Sequence, residues 1–157
     1  MTFYSRKSAR IPNFDYSSTH YYFLTICTHN RICYFGKSGQ LNALGLVARQ
    51  QIKEIEIHYE GVFVDQYVVM PNHVHMILIL DGNHGVNNVN QIIAQYKSGV
   101  TREIHKFMPD VIVWQRSYHD HVIRNRVSYE KIWAYIEQNP IKWEEDCFYR
   151  RIEGKED

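Results

Sequence analysis

Residues 62–80, VFVDQYVVMPNHVHMILIL, consist of two apolar runs separated by a proline and an asparagine. Both runs are rich in β-branched and aromatic side chains, which favours strands over 62–70 and 73–80. Pro71 has no backbone N–H to donate to a sheet, so it belongs at a turn, a bulge or the start of a strand. The two runs are close enough in sequence to pair, and the stretch therefore predicts a β-hairpin.

The sequence on either side of this hairpin alternates between strand and helix patterns. Apolar residues that recur every three or four positions predict helices, and runs of β-branched and aromatic residues predict strands. The predicted elements are a strand over 21–28, a short strand over 33–35 that pairs with it across a turn at 29–31, a helix over 42–58, a helix over 89–107, a strand over 111–118 and a helix over 129–138 with Ser128 as its N-cap. This order matches the split β-α-β units of a ferredoxin-like fold. We therefore expect an α+β domain whose antiparallel sheet carries helices packed mainly on one face.

The length and composition of the chain limit its class. With 157 residues, of which 45% are apolar, we expect a single domain over 1–157, with an irregular N-terminal arm over about 1–20 and a charged C-terminal tail over about 144–157. A run of about 20 apolar residues is lacking, which excludes a membrane span. The first residues lack the apolar core of a signal peptide, so we expect a cytoplasmic location. Three cysteines without a Cys-x-x-Cys pair disfavour a disulfide framework and a thiolate zinc site.

Basic side chains are concentrated in two segments, although the net charge is only +1. Residues 1–37 carry five Lys and Arg against one acid, and residues 97–126 carry six against three. Two such segments are typical of a phosphate-binding face, but also of ordinary solvated surface. Charge alone favours the ordinary surface.

Two histidines begin the second strand of the hairpin. Alternate side chains of a strand share a face, so His73 and His75 point the same way and Val74 points into the core. Two imidazoles about 7 Å apart along a strand are able to converge on one divalent ion. A single His-x-His is also frequent by chance, so the spacing supports a metal site and a pair of partly exposed histidines equally.

The last predicted helix carries a tyrosine and an asparagine four positions apart. Residues at this spacing lie on one helical face, so Tyr135 and Asn139 share a face, and Asn139 offers an amide oxygen to a hard cation. Pro140 biases Asn139 away from helical dihedral angles, which makes this spacing approximate. Tyr16 and Tyr149 have similarly spaced polar partners but lie in the arm and in the tail. On its own, the pattern favours a tyrosine packed in a helix.

Five segments in this order resemble the single-tyrosine transposases of the insertion-sequence 200 type, and most closely their REP-associated branch. These proteins belong to the HUH nucleases, named for two histidines around a bulky hydrophobic residue, which His73, Val74 and His75 supply here. The resemblance covers about residues 21–143. The matching segments are YFLTICT over 22–28, VVMPNHVH over 68–75, WQR over 114–116, DHVIR over 120–124 and YIEQNP over 135–140.

The resemblance implies an enzyme of DNA transposition and a set of site residues. In the family, the two histidines and a polar residue of the tyrosine helix hold Mg²⁺ or Mn²⁺, which here implies His73, His75 and Asn139 as ligands. Tyr135 is then the catalytic residue that attacks a phosphate of single-stranded DNA, forms a 5′-phosphotyrosine link and leaves a free 3′-OH for later strand transfer. A phenol with a pKa of about 10 is a weak nucleophile, so it needs activation or a better electrophile, and the metal ion supplies the latter.

The implied partner is single-stranded DNA with a hairpin structure, and basic side chains are the expected phosphate contacts. The candidates are Lys97, Arg102, Arg116, Arg124 and Arg126, together with Arg6, Lys7 and Arg10 of the arm, and with Trp114 or Tyr118 for base stacking. Insertion-sequence relatives form dimers, whereas the REP-associated branch includes monomers. The resemblance therefore leaves both a homodimer and a monomer open.

A second His-x-His, His119-Asp120-His121, competes with the first. The HUH pattern needs an apolar middle residue that anchors the strand in the core, and an aspartate does not meet this requirement. We therefore assign this segment to support around the site, DNA contact or plain surface. Two other functions stay open: a domesticated protein that binds DNA hairpins without cutting them, and a metal phosphodiesterase that uses water, with Tyr135 only structural.

Overall fold

The computed structural model describes residues 19–82 and 88–145. These residues form the strands and helices β1 His20–Cys27, β2 Gly36–Lys37, β3 Gln40–Leu41, α1 Ala43–His58, β4 Val62–Met70, β5 His73–Leu80, α2 Val89–His105, β6 His119–Ile123 and α3 Arg126–Gln138. The predicted arm and tail lie almost entirely outside the described residues, as do Tyr16 and Tyr149. Among the described residues, none of the helices combines the length and the apolar character that crossing a bilayer requires.

The four long strands form one antiparallel sheet in the order β4-β5-β1-β6. β1 pairs with β5 along its whole length, which places Thr25 opposite His75 and Cys27 opposite His73. β5 therefore separates β4 from β1, as split β-α-β units require. The predicted hairpin of β4 and β5 and the ferredoxin-like α+β fold are confirmed.

One face of the sheet, the α1/α2 face, is covered by α1 and α2 over an apolar core. Strand β5 contributes Val74, Met76 and Leu78 to this core, and all three are fully buried. α1 begins as predicted, because Asn42 caps it by accepting a hydrogen bond from the backbone N–H of Gly45 at 2.9 Å. The helical residues of the core are Ala48, Ile52, Ile55, Ile92, Ile93, Tyr96, Val100 and Ile104.

α3 packs on the opposite face of the sheet, the α3 face, where it lies over β4 and β5. It is anchored by Tyr129, whose hydroxyl donates a hydrogen bond to the carboxylate of Asp65 in β4. Side chains alternate along β5, so His73 and His75 lie on the α3 face. Its apolar cluster consists of Tyr21, Ile77, Ile79, Ile123, Tyr129 and Ile136. Two of the three helices therefore share one face, and the third forms a separate layer on the other.

Residues 33–35 do not form the predicted partner strand of β1, and this prediction is wrong. The preceding residues 29–31 form a 3-10 turn in which Asn30 and Arg31 have positive φ angles of 51° and 54°, which turns the chain away from β1. Both edges of β1 are also occupied, by β5 and β6. Phe35 instead donates its backbone N–H to the carbonyl of Pro71 at 3.0 Å and buries its ring.

The strand predicted over 111–118 is also wrong, because the strand that pairs with β1 is His119–Ile123. In the predicted segment, Trp114 forms a single bridge to the residue after β1. The ammonium group of Lys97 donates to two backbone carbonyls of this segment, at 2.9 and 2.5 Å. Ser117, which carries one of them, has a φ of 60°. These carbonyl oxygens therefore bind the lysine instead of a neighbouring strand.

The first turn of α3 lies three residues earlier than predicted. Asn125 is the N-cap, and its side-chain oxygen accepts a hydrogen bond from the backbone N–H of Ser128 at 2.8 Å. Asparagine and serine are both favoured N-caps, and here they lie three residues apart. The prediction of Ser128 as the N-cap is wrong, and Ser128 lies inside the first turn.

Candidate active site

His73 and His75 lie side by side on the α3 face at the start of β5. Their ring centroids are 4.5 Å apart and their planes are inclined by 73°. Both residues are buried, with 0% and 1% of their surface exposed, and Val74 between them faces the core of the other side. Trp143, which follows α3, has its ring centroid 6.0 Å from that of His73. The prediction that the two imidazoles point the same way is confirmed. The alternative of two partly exposed histidines is wrong, because both side chains are buried.

A contact at Nδ1 fixes the orientation of each imidazole. Nδ1 of His73 lies 2.8 Å from the side-chain oxygen of Asn72, whose amide nitrogen donates to the carbonyl of Arg31 at 3.2 Å. Because an amide oxygen only accepts, Nδ1 of His73 carries the proton and Nε2 presents its lone pair. Nδ1 of His75 lies 2.9 Å from the hydroxyl oxygen of Thr25. A hydroxyl both donates and accepts, so this contact engages Nδ1 of His75 without placing its proton. In both rings, Nδ1 is thus engaged by a neighbouring side chain, and Nε2 lies on the other edge of the ring.

Tyr135 of α3 lies against this pair of imidazoles. Its ring centroid is 5.3 Å from that of His75 and 6.2 Å from that of Phe23. Phe23 itself lies 5.1 Å from His75, so the three rings form one cluster. Ile136 is fully embedded in the α3-face cluster, whereas Tyr135 has 40% of its surface exposed. A tyrosine is thus held beside the histidines with part of its side chain open to solvent.

Asn139 ends the same helix and is buried, with 2% of its surface exposed. Its φ and ψ angles are −56° and −43°, which are helical, so the expected departure before Pro140 is wrong and the four-residue spacing from Tyr135 holds. The hydroxyl of Ser38, between β2 and β3, donates to the carbonyl of Pro140 at 2.6 Å. The small β2–β3 hairpin therefore holds the chain directly after Asn139.

The donors that this site offers to a metal ion are two imidazoles and an amide. Across 19–82 and 88–145, no three His, Cys, Asp or Glu side chains are grouped so as to hold a metal ion. An ion bound by His73 and His75 would therefore take a further ligand of another kind. The amide oxygen of Asn139, a buried atom on the tyrosine helix, is a donor suited to this role.

The five basic residues predicted to contact DNA are distributed over both faces. Lys97 and Arg102 belong to α2 and thus to the face opposite the histidines, and burial lowers the pKa of the Lys97 ammonium group. Arg116 is exposed before β6, Arg124 is exposed directly after β6, and Arg126 is exposed as the first residue of α3. Only the last two lie at the start of the helix that carries Tyr135.

The remaining DNA-contact candidates have other surroundings or lie outside the described residues. The ring of Trp114 packs against the buried rings of Phe35 and Tyr96, with centroids 5.5 and 5.8 Å apart. The hydroxyl of Tyr118 donates to the side chain of Asn90 in α2. Residues 1–18, with Arg6, Lys7 and Arg10, are outside the described part of the chain. Trp114 is therefore a core residue.

Sequence reasoning missed the three residues that position the histidines and the tyrosine. Asn72 directly precedes His73, so its proximity was a usable signal for a hydrogen bond to the ring. Thr25 and Phe23 lie about 50 residues away in the chain, and only the β1–β5 register brings them beside His75. Without strand pairing, their role has no local signature.

Comparisons with known proteins identify the family of the chain and the fold that it shares. The sequence family described as IS200-like transposases matches residues 16–139. A Haemophilus influenzae protein, itself described as uncharacterized, is 35% identical over 92% of this chain and 93% of its own length. The solved structure of a REP-associated tyrosine transposase bound to a REP hairpin superposes with a TM-score of 0.64, at 22% identity over 91% of this chain and 74% of that one.

A Deinococcus radiodurans R1 crystal structure, assigned to the transposases by its description, superposes with a TM-score of 0.56, at 17% identity over 82% of this chain and 95% of that one. At these identities the two solved structures show the fold alone. The family match spans more than two thirds of the sequence, and it includes the histidine pair, the tyrosine and the asparagine. The chain therefore belongs to the IS200-like transposase family, which assigns it to DNA transposition.

Proposed function

We propose that the chain is a metal-dependent single-stranded DNA nickase and strand-transferase that acts through a 5′-phosphotyrosine intermediate. The observation that carries this proposal is the contact of the Tyr135 ring with the His75 ring, at 5.3 Å, beside the 4.5 Å pair of imidazoles. A nucleophile and two ligand-forming nitrogens are thereby held next to each other. Membership of the IS200-like transposases supports transposition as the process that this chemistry serves.

The donor set suits a divalent ion such as Mg²⁺ or Mn²⁺. His73 and His75 would hold the ion through Nε2, since Nδ1 of each ring is already engaged, and Asn139 would add an amide oxygen. All three donors are neutral, so they leave the charge of the ion uncompensated for an anionic substrate. When bound, the ion supplies Lewis-acid polarisation of a phosphate.

Tyr135 supplies the nucleophile in this proposal. Its ring is fixed against Phe23 and His75, while its partial exposure gives a DNA strand access from solvent. The phenolic oxygen forms a bond to phosphorus and loses its proton to solvent. The bond from phosphorus to the 3′ oxygen breaks, and the leaving oxygen takes a proton from solvent to become the free 3′-OH. The reverse attack by a 3′-OH on the phosphotyrosine rejoins DNA and restores the phenol. Because the phosphodiester energy is conserved in the link, no nucleotide cofactor is needed.

The substrate in this proposal is hairpin DNA with a flanking single strand, in the cytoplasm and away from any membrane. A REP hairpin is bound by the REP-associated transposase that shares this fold, which supports the choice. The phosphate contacts are proposed among the basic residues Lys97, Arg102, Arg116, Arg124 and Arg126. Tyr135 meets His75 of the same chain, so a homodimer is not required to bring the nucleophile to the histidines.

A covalent trapping assay tests this function. Purified protein and Mn²⁺ are incubated with a labelled pool of hairpin DNAs that carry single-stranded flanks, and the products are separated on a denaturing gel. We expect a labelled band at the mass of protein plus DNA for the wild type, and none for Tyr135→Phe or His73→Ala. Omission of the divalent ion should also remove the band.

Each other outcome identifies a different function. Cleavage without a covalent band, retained in Tyr135→Phe, would mean hydrolysis by water and would overturn the role of Tyr135. Binding of hairpins without cleavage, with both Mg²⁺ and Mn²⁺, would instead identify a DNA-binding protein that has lost its chemistry.

A further inference from the structure

A row of side chains leads from the candidate active site to the open edge of the sheet. Thr25 of β1 lies opposite His75 on one side and opposite His119 of β6 on the other. Adjacent strands are about 4.8 Å apart, so His119 lies about 10 Å from His75, one strand beyond the threonine that fixes its ring. In the next row, Phe23 lies between Ile77 and His121.

His119 and His121 lie on the α3 face, because residues directly opposite in an antiparallel pair share a face. Ile123, two positions further along β6, is buried in the α3-face cluster and confirms this alternation. Both histidines are exposed, in contrast to His73 and His75, because α3 packs over β4 and β5 and leaves this part of β6 open. The imidazoles therefore border the exposed approach to Tyr135.

Asp120, between the two histidines, lies on the opposite face of the sheet. Its carboxylate raises the pKa of the Tyr118 phenol, after the larger contribution of burial and together with Tyr22. Tyr22 occupies an α1/α2-face position of β1, which places this negative charge away from the α3 face. The exposed part of β6 on the α3 face thus presents the two imidazoles as hydrogen-bond donors, while the carboxylate of Asp120 lies on the other face.

We infer that His119 and His121 form a binding site for the backbone phosphates of the DNA strand beside the scissile phosphate. This inference rests on the proposed function. Each imidazole donates an N–H to a phosphate oxygen, which is the kind of contact that positions a strand without reading its bases. The separation of about 10 Å from His75 assigns them a neighbouring phosphate. Together, they direct the single strand over β6 towards Tyr135.

A coupling experiment tests this site. The Tyr135→Phe protein, which binds without reacting, is titrated with the hairpin oligonucleotide that gives the strongest covalent band with the wild type. His119→Ala and His121→Ala are introduced separately, and uncharged methylphosphonates replace single phosphates on either side of the cleaved one. His58→Ala is the matched control, because His58 is an exposed histidine of α1 on the other side of the molecule.

We expect each β6 variant to weaken DNA binding by about 3- to 10-fold, the loss of one net hydrogen bond, and His58→Ala to leave it unchanged. One methylphosphonate position should weaken binding of the Tyr135→Phe protein but cause no further loss in the variant that lacks its histidine. His119→Asn and His121→Asn, which keep an N–H donor, should recover part of the affinity. Because both side chains are exposed, the unfolding midpoint should not move.

Two results would overturn the inference. Each β6 variant should bind DNA more weakly than His58→Ala, so equal affinity of all three proteins would exclude the site. Losses that are additive with every methylphosphonate would show that the histidines act elsewhere. Failure of the proposed function is distinguishable, because it would show as a wild-type protein that forms no covalent band on any hairpin.

Discussion

The two faces of the central sheet are made by the same strands but differ in their side chains. On the α1/α2 face, β5 presents Val74, Met76 and Leu78, which are fully buried among apolar residues. On the α3 face, the same strand begins with His73 and His75 before it reaches the apolar Ile77 and Ile79. The two histidines are equally buried but hold polar contacts with Asn72 and Thr25. Burial alone therefore does not distinguish the two faces, whereas the chemistry of the buried groups does.

This difference indicates that the two faces of one strand have different roles, one in stability and one in the active site. Buried apolar side chains stabilise the fold by about 25 cal/mol per Å² of surface removed from water, whereas a buried polar group stabilises little beyond its compensating hydrogen bond. The α1/α2 face thus carries the larger apolar core that fixes β5, and the α3 face combines a smaller apolar cluster with two imidazoles at the start of the strand. Substitutions on the two faces should accordingly separate stability from activity.

The largest expected effect is on activity, from a matched pair of tyrosine substitutions. Tyr135→Phe should lower covalent adduct formation by at least about 10³-fold, since it removes the attacking oxygen, and should leave the unfolding free energy unchanged. Tyr96→Phe on the α1/α2 face should do the reverse. It removes a buried hydroxyl that donates to the carbonyl of Ala48 at 3.0 Å, at a cost of about 1 kcal/mol, without loss of adduct formation per folded molecule.

Trapping gels and urea unfolding of both variants provide the measurement. The division between the faces would be contradicted if Tyr96→Phe lost adduct formation at full folding, or if Tyr135→Phe destabilised the protein as much as Tyr96→Phe does.

The next effect is on stability, from truncation of the core. Met76→Ala removes a fully buried side chain of the α1/α2 face and should lower the unfolding free energy by about 2–5 kcal/mol. The conservative Met76→Leu should cost less than about 1.5 kcal/mol, because it nearly conserves volume. Chemical unfolding followed by circular dichroism measures both. If Met76→Ala lowered the unfolding free energy by less than about 1 kcal/mol, the α1/α2 face would not be the main source of stability.

Thr25 offers an intermediate test, because it acts on the α3 face through His75. Thr25→Val keeps the shape of the side chain but removes the hydroxyl at 2.9 Å from Nδ1, so it should lower adduct formation by about 10- to 100-fold. The loss should be smaller at high Mn²⁺ concentration, since a misoriented imidazole weakens metal affinity. Thr25→Ser, which retains the hydroxyl, is the control and should stay near the wild type. A Val variant with the Mn²⁺ dependence of the wild type would show that Thr25 does not orient the ring.

The sequence was sufficient for features that depend on local periodicity. The bounds of β4 and β5 agree with the predicted runs, and the common direction of His73 and His75 followed from alternation along a strand. The prediction of a strand over 111–118 was wrong because Lys97 of α2 donates a hydrogen bond to the carbonyl of Ser117, which is a contact between different segments of the chain. Such contacts leave no periodic trace in the sequence.

The same limit applies to the candidate site. Tyr135 and His75 lie 60 residues apart, and their ring contact follows from the packing of α3 on β4 and β5, which no local pattern specifies. The family resemblance supplied this pairing at the sequence level. It did not supply Thr25, whose position opposite His75 depends on the strand register. Residues that orient the chemistry were thus less predictable than residues that perform it.

The smallest expected effect concerns the hairpin of β2 and β3, which contacts the chain just after α3. The turn at its tip lets the Ser38 hydroxyl donate to the carbonyl of Pro140 at 2.6 Å, one residue after Asn139. Gly36 makes this hairpin tight: its φ is 108°, and a Cβ there would lie 2.7 Å from the backbone nitrogen of Asn42. The hairpin therefore braces the end of α3.

Ser38→Ala should consequently slow adduct formation by about 2- to 10-fold, the equivalent of one hydrogen bond, while DNA affinity stays unchanged. Ser38→Thr retains the hydroxyl and should preserve the rate, and Ser98→Ala, on the exposed surface of α2, is the matched control. Rates come from single-turnover trapping and affinities from binding in the Tyr135→Phe background. A loss confined to the rate would show that the β2–β3 hairpin serves activity. The hairpin would then act on the position of Asn139 and Tyr135 without contributing to the core. A loss of affinity alone would instead make it a DNA contact.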